Sequence, residues 1–246
     1  MATSPLTPLQ RVQRLSQWAL IIAVVVYVCS VSYPFVRSFD VIVLGLLLAT
    51  GLWTAVDRFR WRAVGLLAVV AVGIGVWAAF AGRPPDPAAL QQAYVARLRG
   101  FNGATYVWGG ESHAGIDCSG LARAALCEAL AQRGVQEANP RLLGPLLWHF
   151  WWDDISAKAM GDGVYGYTRW VCDARDLHAV PAALLQPGDL AVAGGGVHVL
   201  IYLGAHRWIE ANPEDGRVVI CSPDDDARRA FYNVPVRIVR WWVVTT

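Results

Sequence analysis

Lysine is almost missing from this chain: of 21 basic residues, only Lys158 is a lysine. The rest is arginine, spread as a compositional bias rather than gathered into a patch. With a net charge of +2, nothing marks a nucleic-acid surface, and no nucleic-acid partner is expected. Cysteine is scarce and odd in number, with Cys29, Cys118, Cys127, Cys172 and Cys221, so at least one is unpaired within the chain. There is no C-x-x-C and no Cys/His group at zinc spacing, so neither a metal site nor a cofactor is expected. Internal repeats and low-complexity tracts are also absent.

What the chain has in excess is apolar surface. Of its 246 residues, 55% are hydrophobic and mean hydropathy is +0.37, too oily for an ordinary soluble domain. The apolar residues crowd the first third. Three runs, at about 18–36, 39–56 and 63–82, are nearly free of charge, and each approaches the roughly 20 residues a bilayer span needs. Three cores separated by short charged turns do not read as one cleaved signal peptide. They predict three transmembrane helices in a membrane anchor covering 1–82. Arg11 and Arg14 precede the first run, and Arg58, Arg60 and Arg62 separate the second from the third. By the positive-inside rule the N-terminus is cytoplasmic, so the chain after the third run lies on the outer, periplasmic side of the inner membrane.

From Arg83 the composition changes, and 83–246 reads as one α+β domain. Asp86, Pro87 and Gly100 suit the N-cap, first helical position and C′ position of a helix with Leu90, Tyr94 and Leu98 on one face. In "GIDCSGLARAAL" a glycine-rich loop gives way to a helix predicted from Cys118 to Gly134, with Cys118, Ala122, Ala125 and Ala129 sharing a face. A thiol in the first turn meets the positive end of the helix dipole and unsatisfied backbone N–H groups. Both favour the reactive thiolate, and the same N–H groups can hold an oxyanion. Further on, Leu190–Ala193 and Val197–Leu203 read as strands around a Gly194–Gly196 turn. They place His198 inside "VHVLIYL", where an imidazole needs a partner. Glu210 falls on the next predicted strand, where a carboxylate would fix the ring tautomer and leave the other nitrogen for the thiol. Asn212 has the same parity and is the rival orienter.

Four blocks in order, "YVWGG" (Tyr106–Gly110), "DCSGL" (Asp117–Leu121), "PGDL" (Pro187–Leu190) and "HVLIYLG" (His198–Gly204), resemble the NlpC family of cell-wall cysteine peptidases. The resemblance implies a papain-like fold, with a cysteine-bearing helix on an antiparallel sheet. It also implies hydrolysis of an amide in peptidoglycan stem peptides. By the same resemblance Cys118 is the nucleophile and His198 the base. Tyr106 lines the site, and Asp117 and Ser119 help bind the free amine of the peptide. The third family position is polar and often histidine, whereas this chain has Glu210.

A second departure is length. Residues at about 139–186 form an aromatic-rich insertion, readable as a lid over the groove, an interfacial contact or extra core. The expected partners are therefore a peptidoglycan peptide and, through the anchor, the lipid bilayer. Two rival functions stand beside peptidase activity: acyl transfer or lipid-directed amide chemistry by the same Cys–His pair, and a non-catalytic wall-binding membrane protein.

Overall fold

The computed structural model describes residues 45–49, 51, 61–80, 82–224 and 229–245. The chain divides into two compact units, Met1–Phe80 and Ala81–Thr246.

In the first unit, helix α1 runs from Trp61 to Phe80. Its side chains are described from Gly65 to Trp77, where Leu66, Val69, Val72 and Ile74 are exposed. Among the described residues no helix is long and apolar enough to cross a membrane. The expectation of three spans is thus without support there: the first run lies wholly outside the described residues. The second is described only at 45–49 and 51, which are helical.

The second unit is built on a six-stranded antiparallel sheet, in the order β3-β8-β4-β5-β6-β7. The strands are β3 Thr168–Ala174, β4 Leu190–Ala193, β5 His198–Gly204, β6 Arg207–Asn212, β7 Arg217–Cys221 and β8 Val236–Trp241. Residues 194–197 join β4 to β5, and the three glycines there, Gly194, Gly195 and Gly196, have positive φ (59°, 72° and 108°), backbone that side-chain-bearing residues adopt at a cost. The period of two divides β5 between two cores. Val199, Ile201 and Leu203 join the larger cluster beneath the helices, and Leu200 and Tyr202 join a smaller one on the opposite face.

Helix α2, Pro87–Gly100, starts where Asp86 accepts hydrogen bonds from the N–H groups of Ala88 and Ala89. It buries Leu90, Tyr94 and Leu98, the face its spacing predicts. Its end departs from that reading. Gly100 is the last helical residue and Phe101 the C-cap, in right-handed backbone; Phe101 is 1% exposed, so its burial, not glycine, turns the chain. A small hairpin, β1 Glu111–Ser112 with β2 Gly115–Ile116, leads into helix α3, Cys118–Gln136. The alanines on the cysteine's face, Ala122, Ala125 and Ala129, are fully buried and let α3 lie close on the sheet. The largest buried side chains include Trp241 and Tyr94, and the indole of Trp241 donates to the Tyr94 hydroxyl at 3.1 Å. The unit thus carries its own core, the condition for a domain that folds alone.

The aromatic-rich stretch holds a π-helical turn, Leu142–Leu146, then α4 Leu147–Trp152, α5 Ala157–Gly161 and the edge strand β3. Much of it is core: Phe150, Ile155, Met160 and Tyr167 are buried, and Phe150 stands edge-on to Trp241. Its Asp154 and the hairpin's Glu111 both pair with Arg123, which projects from α3 at 3% exposure. One buried guanidinium therefore ties hairpin and insertion to the helix that begins at Cys118.

Candidate active site

The start of α3 is set by Asp117. Its Oδ1 accepts from the Gly120 N–H at 2.6 Å and the Ser119 hydroxyl at 3.0 Å. Its Oδ2 accepts from the Gly109 N–H at 2.9 Å. The cap therefore also pins the glycine loop against the helix. The approach is close enough to require glycine on both sides. A Cβ at Gly120 would stand 2.2 Å from the Gly110 carbonyl oxygen, and one at Gly110 would stand 2.4 Å from that of Gly115. The Leu121 N–H bonds the Asp117 carbonyl, so Cys118 and Ser119 carry the first-turn amides that precede the helical ladder.

His198 opens β5 at 2% exposure, stacked on Phe231 with ring centroids 4.1 Å apart. Its Nε2 lies 2.6 Å from Oε2 of Glu210, and the ring also hydrogen-bonds Cys118. With Nε2 taken, Nδ1 is the nitrogen left for the thiol. Burial works against a charged ring here. The hydrogen bonds and charges of Cys118 and Glu210 outweigh it and lift the imidazole from 6.5 to about 9. Cys118 is buried at 9% exposure, more open than the ring at 2%. Tyr106 stands beside it: burial, then the charges of Cys118 and Asp117, push its phenol above the usual value.

Glu210 on β6 is fully buried and ionised. Burial alone would raise its pKa; His198, Asn212 and Tyr232 bring it below the ordinary carboxylate value. Oε1 accepts from the Tyr232 hydroxyl at 3.0 Å, Arg229 Nη1 at 3.1 Å and Asn212 Nδ2 at 3.2 Å. Arg229 also holds Asp215 at 2.8 Å. Burial and the charge of Glu210 keep the Tyr232 phenol protonated, and so a donor. The sequence leaves Glu210 and Asn212 as rival partners of the ring. In the fold Asn212 donates to Glu210, and its Oδ1 accepts from the backbone of Glu214 and Asp215.

The structure thus brings together all six residues that the sequence nominated. It adds Phe231, Tyr232 and Arg229, which carry no motif; the only sequence signal for them is that a buried carboxylate demands donors. Cys221 sits 3.8 Å from Oε1 of Glu210, and burial first among the causes pushes its thiol up to about 12. Cys118, Cys172 and Cys221 are free thiols. The other described histidines stand elsewhere: His113 stacks on Phe101 and bonds Glu128, and His149 pairs with Asp153. Among the described residues no His/Cys/Asp/Glu group could hold a metal ion.

The class this defines is an α+β domain in which thiol, imidazole and carboxylate meet where a helix start adjoins an antiparallel sheet. Residues 103–237 match the model of the NlpC/P60 family, more than half of the 246 residues, and the chain belongs to that family. No curated protein matches it. Among solved structures it is similar to the P60 domain of an antigen from M. avium subspecies paratuberculosis (22% identity, 64% of this chain and 96% of that one, TM-score 0.38). It is also similar to the peptidoglycan hydrolase RipB from Mycobacterium tuberculosis (23%, 76% and 88%, TM-score 0.38). A third is NlpC2 from Trichomonas vaginalis (18%, 64% and 49%, TM-score 0.40).

Proposed function

We propose that this chain is a cysteine peptidase that hydrolyses an amide bond in peptidoglycan stem peptides. Cys118 is the nucleophile, His198 the general base and acid, and Glu210 the residue that orients the ring. The observation that carries this is the division of the imidazole: Nε2 on a buried carboxylate and the other nitrogen toward a thiol in the first turn of a helix.

In the acylation step His198 takes the proton of the Cys118 thiol, the sulfur attacks the amide carbonyl carbon, and the carbonyl π electrons move onto oxygen. The Cys118 and Ser119 N–H groups hold that oxyanion. The tetrahedral intermediate collapses, the C–N bond breaks, and the proton on His198 goes to the leaving amine. Water then gives its proton to His198 and adds to the thioester; the C–S bond breaks, the acid is released, and His198 returns the proton to the Cys118 sulfur. Tyr106 lines the cleft. The Asp117 carboxylate, with the Ser119 hydroxyl on it, attracts the free amine of the peptide while it caps α3.

Purified muropeptides digested by the native chain, read by mass spectrometry, give shortened stem peptides. Cys118→Ala abolishes the cleavage with the fold intact. Undiminished cleavage by that variant refutes the nucleophile.

The same reading puts the domain outside the inner membrane, held by the N-terminal apolar segments. Supporting it are the uncharged run from Ala63 to Ala81 and the exposed apolar side chains along α1. Alkaline washing leaves the protein in the membrane fraction, and protease added to spheroplasts removes the domain. Release by the wash, or protection from protease, refutes the placement.

A further inference from the structure

The insertion presents an aromatic face that the proposed peptidase chemistry does not use. Along the π-helical turn and α4, Leu146 and Phe150 point into the core at 9% and 2% exposure, whereas Trp148 and Trp152 stay 50% and 42% exposed. The two indoles are stacked, with centroids 5.2 Å apart and planes within 12°. Trp151 tilts against Trp148 at 5.5 Å. Beside them Leu143, Gly144, Pro145 and Leu147 complete an apolar depression of about 630 Å³. A contiguous exposed apolar patch of this kind marks a binding surface.

The fold also shows where the chain joins this face. The Arg83 N–H donates to Asn139 Oδ1 at 3.3 Å, and Asn139 Nδ2 donates back to the Arg83 carbonyl at 3.1 Å. The same Oδ1 accepts from the Arg141 N–H at 3.1 Å, at the foot of the π-helical turn. Asn139 is 2% exposed, so this clamp is part of the domain's interior. The polypeptide that follows the uncharged run Ala63–Ala81 therefore enters the domain at the root of the tryptophan face. Arg83 and Arg141 are both exposed there. Tryptophan favours the headgroup zone of a bilayer, and arginine beside it favours anionic lipid.

We infer that the face formed by Leu143, Leu147, Trp148, Trp151 and Trp152 docks on a lipid surface carrying anionic headgroups. The docking holds the domain at a fixed height beside the membrane. The inference deepens the membrane placement proposed above. It is tested without the apolar segments, so that its failure and the failure of that placement are distinguishable.

Residues 82–246, a compact unit with its own core, are mixed with vesicles of phosphatidylcholine alone or of equal phosphatidylcholine and phosphatidylglycerol, and sedimented. The domain binds the mixed vesicles, and its tryptophan emission shifts to the blue. Trp148→Ser with Trp152→Ser weakens binding at least tenfold, while Cys118-dependent cleavage of soluble muropeptides is unchanged. Arg83→Gln with Arg141→Gln removes the preference for anionic vesicles. No binding to either vesicle overturns the inference, as does undiminished binding by the tryptophan double variant. Concentration-dependent self-association that those substitutions abolish overturns it in favour of a second copy of the chain. Equal binding of the native domain to both vesicles overturns the role of the arginines.

Discussion

Glu210→Gln tests the candidate site most sharply, because the two side chains have the same shape and differ in what they offer His198. Three N–H and O–H donors on Oε1 of Glu210 are fixed, the Tyr232 hydroxyl at 3.0 Å, Arg229 at 3.1 Å and Asn212 at 3.2 Å, with the Cys221 thiol farther off at 3.8 Å. Glutamine must turn its carbonyl oxygen toward them, since an NH2 group there would face three donors. Its NH2 then faces Nε2 of His198, 2.6 Å away in the native fold. Nε2 becomes an acceptor, and the proton moves to Nδ1, the nitrogen left for Cys118. The ring then presents N–H to the thiol and cannot accept its proton. The charge effect has the same direction. The imidazole stands at about 9 against an ordinary 6.5, about 3 kcal/mol in favour of the protonated ring at 1.36 kcal/mol per pH unit. Removing the carboxylate removes one of its two sources. The equivalent carboxylate-to-amide change in serine hydrolases, also a tautomer error, lowers kcat by roughly 10⁴; a loss on the order of 10³ to 10⁴ is expected here. Stem-peptide hydrolysis across pH measures it, and nitrogen NMR of the imidazole reads the tautomer. The alkaline limb of the native profile falls near 9 and moves down in the variant. A folded Glu210→Gln protein that keeps more than a tenth of the native kcat, or whose ring still carries its proton on Nε2, refutes the assignment.

The pair also makes stability depend on pH, and the two partners bound one window. His198 is raised from 6.5 to about 9, so its contribution is full below 6.5 and is lost as pH rises through about 9. Glu210 is lowered from 4.5, so its contribution is present above 4.5 and is lost as pH falls. Denaturant midpoints of the domain are therefore highest between those limits, and a midpoint still climbing from pH 7 to pH 10 contradicts the linkage. Gly120→Ala forces a Cβ to 2.2 Å from the Gly110 carbonyl oxygen. It is expected to cost about 1–3 kcal/mol and to lower kcat through the displaced loop; a neutral effect in thermal unfolding refutes the close approach.

The site was legible because its chemistry follows local rules. Asp117 before Cys118 is an N-cap followed by a helix, and the alanines at 122, 125 and 129 mark the buried face by spacing alone. His198 and Glu210 meet because a short turn makes their strands antiparallel neighbours, with Ile201 opposite Ile209 and an irregularity between Tyr202 and Gly204. What was not legible lies at long range. The donors on Glu210 come from 229 and 232, and neither an arginine nor a tyrosine in a loop announces a buried partner. The insertion was ambiguous in a different way. Its aromatic content left lid, interfacial contact and extra core as equal readings, whereas β3 inside it pairs with β8 from Thr168↔Trp241 to Ala174↔Val236 and is the edge of the main sheet. Aromatic density cannot distinguish Phe150, which is core, from Trp148 and Trp152, which are not; only the direction of α4 on the domain does.

The carboxylate at 210 and the cation at 229 form one unit, at the position where the resemblance to the family implies a polar residue, often histidine. A buried carboxylate needs compensation, which Arg229, Tyr232 and Asn212 supply. A neutral imidazole in its place would need none of them. Glu210→His alone therefore does not restore a family-like triad. It leaves the guanidinium, 20% exposed, beside two imidazoles and still paired with Asp215 at 2.8 Å. Breaking one side of a buried pair costs about 3–5 kcal/mol, and the Asp215 contact places this case at the low end, about 3 kcal/mol. Glu210→His with Arg229→Met removes the cation that faces the new imidazole and recovers most of that loss. Urea denaturation of the native domain, both single variants and the double variant gives the coupling directly. Additive effects of the two substitutions, or a Glu210→His protein as stable as the native one, show that the carboxylate and the guanidinium do not depend on each other.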